Sequence, residues 1–451
     1  MRPQRFLIRL TSILTFFAVT LCVSPTWAKA KETVIFNFVP GRDGARPNST
    51  LIFDAAGNLY GLAFEGGTGR CKNSLGTLIG CGVVFELTPK AGGGWTENVL
   101  HSFVGGKDGQ WPLTGGLVFD AHGNLYGTTA YGGNGPCHDT TGPGCGVVFE
   151  LSPKTGGGWT EKVLHSFNGK DGRIPEAGLA IDSAGNLYGT TFEGGTGGCK
   201  FDSSTVTGCG VVFELAKAGE GWTQTVLFNF RKAPEGHYPE APLVLDQAGN
   251  LYGTTTEGGG AGCYGGCGTV FELKAQAGGW AETVLHSFDG TDGQGPYAGL
   301  VFDAAGNLYG TTNRGGGRRI FGTVFELMPQ ANGSWTETVL HRFSGRGNDG
   351  SELFSALIFD KAGNLFGTTS SGGALFDKRG TVFELTPHTG GSWTEMVLLS
   401  FDTKDGSTPY AGLVSDGSGN LYGTTLFGGT GECPYGSKGV NGCGVVFEIT
   451  P

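Results

Sequence analysis

The sequence predicts an all-β protein, a seven-bladed β-propeller of four-stranded antiparallel blades, and three observations carry that expectation. One stretch recurs seven times, with its Gly-Asn pair at Asn58, Asn124, Asn186, Asn250, Asn307, Asn364 and Asn420, spaced 66, 62, 64, 57, 57 and 56 residues apart. A period of that length marks units that lean on their neighbours. The apolar residues alternate with period two, and no segment after the first 30 residues has a helical period. Finally, the end units are incomplete in complementary ways. Glu32-Thr-Val-Ile-Phe-Asn-Phe38 matches Glu337-Thr-Val-Leu-His-Arg-Phe343, a fourth strand, whereas Val445-Val-Phe-Glu-Ile449 is a third strand. One strand from the N-terminal side and three from the C-terminal side complete a blade, which closes the ring.

Within a unit, Leu117-Val-Phe119 and Asn124-Leu-Tyr126 are two strands around the turn Asp120-Ala-His-Gly123. Aspartate caps such a turn through its own backbone, and glycine takes its left-handed position. Every copy keeps the aspartate: Asp54, Asp120, Asp182, Asp246, Asp303, Asp360 and Asp416. Gly146-Val-Val-Phe-Glu-Leu151 is the third strand. The fourth is Trp159 to Phe167, in which Trp159, Glu161, Val163, His165 and Phe167 are expected on one face.

Residues 1–28 read as a secretory leader: Arg2, Arg5 and Arg9 precede an apolar run from Leu10 to Val23, and Thr26-Trp-Ala28 supplies the small residues of a cleavage point, with Ala30 an equal choice. The rest, 29–451, reads as one propeller domain with no further segment long enough to span a bilayer. Three of the 30 basic residues fall in the leader, leaving 27 against 40 acidic and a net charge near −13. That balance disfavours nucleic acid. The expected location is secreted or periplasmic, and the expected state a monomer.

Ten of the eleven cysteines follow the leader and form close pairs: Cys71/Cys81, Cys137/Cys145, Cys199/Cys209, Cys263/Cys267 and Cys433/Cys443. All lie between the second and third strands, and the fifth and sixth copies lose both members together. Local disulfides in an oxidising compartment are expected, rather than zinc, because no site gathers four ligands.

The repeated Asp-x-x-Gly-Asn-Leu-Tyr-Gly-Thr-Thr, the Gly-Gly loop and the Val-Phe-Glu-Leu strand resemble the GloVer tandem-repeat family of secreted bacterial proteins. The resemblance covers nearly the whole chain after the leader and implies a repeat and an envelope or extracellular location, but no site. The first hairpin is also similar to those of the NHL and virginiamycin B lyase propellers, at the level of the turn alone.

No catalytic residue and no cofactor is assigned from the sequence. His101, His165, His286 and His341 share a position that other copies fill with Phe36, Phe228 and Leu399, which points to packing. The glutamate of Val-Phe-Glu, from Glu86 to Glu448, points to a repeated structural bond. The blade-joining loops carry acids at Asp43, Asp108, Asp171, Glu235, Asp292, Asp349 and Asp405. These read as turn residues first and as a cation site second, so no metal is assigned. The loops between second and third strands vary together with these joining loops, and that variable face is the expected binding face. On it the two cysteine-free copies gather Arg314, Arg318, Arg319, Arg346, Lys378 and Arg379, the candidate ligand-binding residues. The expected function is non-catalytic binding of a polysaccharide, anionic by this patch, or of a protein. The alternative is an exported polysaccharide lyase or hydrolase with its site in the propeller mouth.

Overall fold

The computed structural model describes residues 30–450 apart from 139–141, 200–207, 220, 233, 261, 318–320, 375–378 and 434–441. The leader expected over 1–28 lies outside these, as do Arg318, Arg319 and Lys378.

Seven four-stranded antiparallel blades follow one another around a ring. Blades 1 to 6 span 52–102, 118–166, 180–229, 244–287, 301–342 and 358–400. In blade 7, Lys31–Asn37 pairs with Val445–Thr450, which pairs in turn with Leu421–Thr425 and Val414–Ser415, so strands from the two ends of the chain close the ring. Beyond the strands, the described residues contain one short 3-10 turn at Gly106–Asp108.

The repeated sequence has a repeated physical cause. Asp54 Oδ1 accepts the backbone N–H of Ala56 at 2.9 Å and of Asn58 at 2.8 Å, while Oδ2 accepts from Asn58 Nδ2 and the Tyr60 hydroxyl. The Tyr60 hydroxyl also lies 2.8 Å from Glu86 Oε1, so one tyrosine ties the turn to the Val-Phe-Glu strand. Five other copies repeat this tie, and blade 6 replaces the tyrosine with Phe366. The glycine after the tyrosine is required by close approach: a Cβ on Gly127 would stand 2.6 Å from the buried Phe149 ring.

Each blade is too thin to bury its own faces, so the cores lie at the seams between blades. At the seam of blades 2 and 3, Tyr126, Val148 and Phe167 meet Leu179, Leu187, Phe213 and Leu215. An edge-to-face phenylalanine pair recurs at every seam, as in Phe167–Phe213 with centroids 5.1 Å apart, and Phe38–Phe85 provides it where the ring closes. The first threonine of Thr-Thr bonds across the seam, Thr128 Oγ1 to the Ala177 carbonyl at 3.0 Å, with counterparts through to Thr424 and Ser49.

The fourth strand departs from expectation. Its pairing slips between Val163 and His165, and a bulge falls at the matching point of all seven blades. A bulge reverses the side-chain alternation. Trp159 therefore packs toward blade 1, whereas Leu164 and Phe167 pack toward blade 3, so the five residues from Trp159 to Phe167 do not share one face. The five expected disulfides are all formed, with Cα atoms 4.9–5.2 Å apart.

Candidate functional site

The joining segments build a mouth on the variable face. Past its acid-Gly turn, each segment pairs with the end of the second strand of the blade it enters, as in Arg173 with Glu193 and His237 with Glu257. The next residue has a left-handed backbone in every blade: Arg46, Trp111, Ile174, Tyr238, Gly295, Glu352 and Thr408, with φ between 56° and 63°. Six of the seven carry a side chain where glycine is favoured. What holds them is a bond to the preceding blade. The N–H of Arg46, Trp111, Ile174, Tyr238 and Gly295 donates to the carbonyl of the second cysteine of a disulfide, Cys443, Cys81, Cys145, Cys209 and Cys267, at 2.7–3.0 Å. In the cysteine-free copies Phe321 and Arg379 accept in its place. The disulfide loops thus fix the segments that frame the mouth.

Two residues further on, one repeat position carries Asn48, Leu113, Glu176, Glu240, Tyr297, Phe354 and Tyr410. From Glu176 to Tyr410, consecutive members interact. Glu176 and Glu240 interact electrostatically, as do Glu240 and Tyr297. Tyr297 and Phe354 have centroids 5.3 Å apart, and Phe354 and Tyr410 4.4 Å. Tyr297 also feels Tyr410, past the blade between them, so these side chains curve around the axis of the ring. All five from Glu176 to Tyr410 keep part of their surface accessible.

The electrostatics of this wall break the sevenfold repeat. Burial pushes the Glu176 carboxyl up to about 7, helped by Glu193. Burial also raises the Glu240 carboxyl well above its ordinary range, with Glu176 and Glu257 adding to it. Carboxyls so placed cannot all ionise near neutrality, and the protonated one becomes a hydrogen-bond donor. Around them, the buried Arg173 is paired with Glu193, and Arg46 Nη1 lies 2.8 Å from Glu65 Oε1. Burial still holds Glu65 up at about 7 against that arginine. His237 Nε2 is 3.1 Å from Glu257 Oε2, and burial lowers its pKa although Glu257 opposes the shift. The arrangement combines proton-donating acids, half-buried rings and fixed cations.

Of the described candidate cations, Arg314 ends a second strand beside Gln294 and acts on Tyr297, so it belongs to the mouth. Arg346 is exposed in the joining loop after blade 5, and Arg379 is half-buried ahead of the third strand of blade 6. No contact joins these three among the described residues. The wall residues Glu176, Glu240, Tyr297, Phe354 and Tyr410 escaped the sequence reading, which followed the joining segments only as far as Asp-Gly. Aligning the position after the segment's proline shows two acids and three aromatics.

The four histidines do pack, each edge-on to the following phenylalanine, as in His101 and Phe103 at 4.7 Å. They also reach the joining-loop acid, with His286 Nε2 2.9 Å from Asp292 and His101 3.1 Å from Asp108. A fourth-strand glutamate of the next blade faces these acids, and two such groups, His286/Asp292/Glu337 and His341/Asp349/Glu395, bring donor atoms within 4.8 Å. Among the described residues these two groups bring three possible metal-ligand atoms together, each from two fourth strands and the joining loop between them.

No curated protein matches the chain. Solved structures similar to the chain include the following two. One is a gluconolactonase from Xanthomonas campestris, 16% identical, with 75% of this chain and 86% of that one covered at a TM-score of 0.37. The other is a putative oxidoreductase (glucose dehydrogenase) from Thermus thermophilus, 14% identical, with 93% and 100% covered at 0.37. At that TM-score neither bears on the chemistry of this chain. The Gloeobacter/Verrucomicrobia repeat matches residues 20–201, 135–375 and 261–451, and the chain belongs to that repeat family.

Proposed function

We propose that this is an exported, monomeric propeller, with residues 1–28 as its leader and 29–451 as its single domain, that binds a saccharide polymer in the mouth on its variable face. The observation that carries the reading is the wall from Glu176 and Glu240 to Tyr297, Phe354 and Tyr410, all at one repeat position. A sugar presents an apolar C–H face and a rim of hydroxyls; aromatic rings suit the first, and protonated or ionised carboxyls suit the second. The five disulfides fit an oxidising compartment, secreted or periplasmic. Arg314 extends the mouth, and Arg346 and Arg379, together with Arg318, Arg319 and Lys378 of the same two copies, are the cations we assign to anionic groups on the same polymer.

Calorimetric titration with neutral and acidic oligosaccharides tests this. Phe354→Ala and Tyr410→Ala each weaken binding about three- to tenfold, the worth of one aromatic contact. Unchanged affinity in both variants, each folded by its melting curve, overturns the reading. The elevated Glu240 beside Glu176 and Glu257 supports a second reading, a hydrolase or lyase using Glu240 as general acid. New reducing or unsaturated ends, lost in Glu240→Gln while binding persists, select it.

A further inference from the structure

We propose a second ligand site, apart from the wall that runs from Glu176 to Tyr410: a cavity of about 330 Å³ at the seam of blades 1 and 2 that holds a hexuronate, the carboxylate-bearing unit of an acidic polysaccharide. Arg70, Lys72, Val104, Gly105 and Gln110 line it. The cavity is at the small end of the range that holds compact ligands.

Arg70 and Lys72 flank Cys71, so the bridge to Cys81 holds both cations at the rim of the cavity. No other cysteine pair has a cation on each side of its first member. Gln110 is only 5% exposed, yet its side-chain oxygen lies 3.3 Å from Cys71 Sγ, a disulfide sulfur with no hydrogen to give. Among the described residues no donor is paired with that oxygen. A buried acceptor in that state calls for a ligand hydrogen. Gly105 keeps the cavity open: its φ is 80°, and a Cβ there would stand 3.1 Å from Cys71 Sγ and 3.2 Å from Gln110 Oε1. Val104, 60% exposed, supplies an apolar wall.

These features select one chemistry. The guanidinium fork of Arg70 holds a carboxylate with two bonds, and Lys72 adds a point charge. Gln110 accepts a ring hydroxyl, and Val104 meets the C–H face of the sugar. Inorganic sulfate satisfies the cations but sets an anion against the Gln110 oxygen. Glucose satisfies the amide and leaves the cations unused.

The full chain is titrated at low salt with glucuronate, glucose and sulfate, followed by ligand-observed NMR and calorimetry. Glucuronate is expected to bind with a Kd on the order of 1 mM, weakened about tenfold in Arg70→Ala and further in the Arg70→Ala/Lys72→Ala double variant. Both cations are exposed, so melting should not change. Gln110→Leu should weaken glucuronate and leave sulfate unaffected, and Phe354→Ala in the mouth should alter neither. The proposal is overturned if glucuronate is held equally by the double variant, if sulfate binds as tightly as glucuronate, or if glucuronate does not bind at all. Loss of glucuronate in Phe354→Ala alone places it in the mouth and also overturns the pocket, whereas failure of the pocket variants leaves the mouth reading standing.

Discussion

Blade 6 lacks one hydroxyl that the other six blades have, and restoring it should stabilise the protein. In the other copies the tyrosine hydroxyl sits 2.6–3.4 Å from the Val-Phe-Glu carboxylate and 3.0–3.4 Å from the turn aspartate. In blade 6 Phe366 is 2% exposed, Glu384 is 3% exposed, and Glu384 Oε2 is buried without a partner. Burial, with Asp360 nearby, raises the Glu384 pKa. Phe366→Tyr keeps the ring and adds the missing donor. A hydrogen bond to a charged group contributes about 1.5–3 kcal/mol; allowing for imperfect fit, a gain of about 1–2 kcal/mol is expected. Spread over the unfolding entropy of about 420 residues this moves Tm by only ~1–2 °C, so urea unfolding is the better assay. A carboxyl whose folded pKa is raised contributes stability below its unfolded pKa of 4.5 and loses it as pH rises through the folded value. The parent therefore loses that contribution on going from pH 4.5 to 8. The variant, with Glu384 returned toward its ordinary range, should lose less, and its advantage should grow with pH. No gain at pH 8, or the same gain at both pH values, refutes the reasoning.

Fourth-strand glutamates make a second pH prediction. Burial against the neighbouring joining loop pushes Glu32, Glu97, Glu161, Glu282 and Glu337 up to about 7 and Glu395 to about 6. Each has a buried Oε1 without a partner. By the same sign rule, stability should fall as pH rises from about 4.5 to 7, with Glu337→Gln flattening the fall; a urea midpoint that rises through that window contradicts it. Deleting Lys31–Asn37 removes the outer strand of blade 7 and bares Val445–Thr450 as an edge, so the truncated chain should aggregate, and unchanged cooperative unfolding would count against ring closure as a source of stability. Thr190→Val removes the bond to the Ala241 carbonyl at the seam of blades 3 and 4 and should cost about 1 kcal/mol in urea unfolding; no measurable loss would make that bond incidental.

The ring was legible because its cause is local and repeated seven times. Asp54, Gly57, Asn58 and Tyr60 declare a turn within a few residues, and the two cysteines of a pair are near neighbours in sequence. The fourth-strand bulge was not legible. The run from Trp159 to Phe167 alternates well on paper, and what breaks it is the demand of two seams at once: Trp159 is drawn toward blade 1 and Leu164 toward blade 3. The mouth was illegible for a related reason. Glu176 and Glu240 are 64 residues apart in sequence and became a pair only when the joining segments were brought side by side around the axis. A side chain that breaks a repeat has no local reason to be there, and in a ring its neighbours are the matching positions of adjacent copies. The candidate site of such a protein therefore lies in the column of the repeat where the copies disagree. In this chain that column reads Asn48, Leu113, Glu176, Glu240, Tyr297, Phe354 and Tyr410, set two residues beyond seven left-handed residues, five of them bonded to a disulfide loop and two to its cysteine-free counterpart.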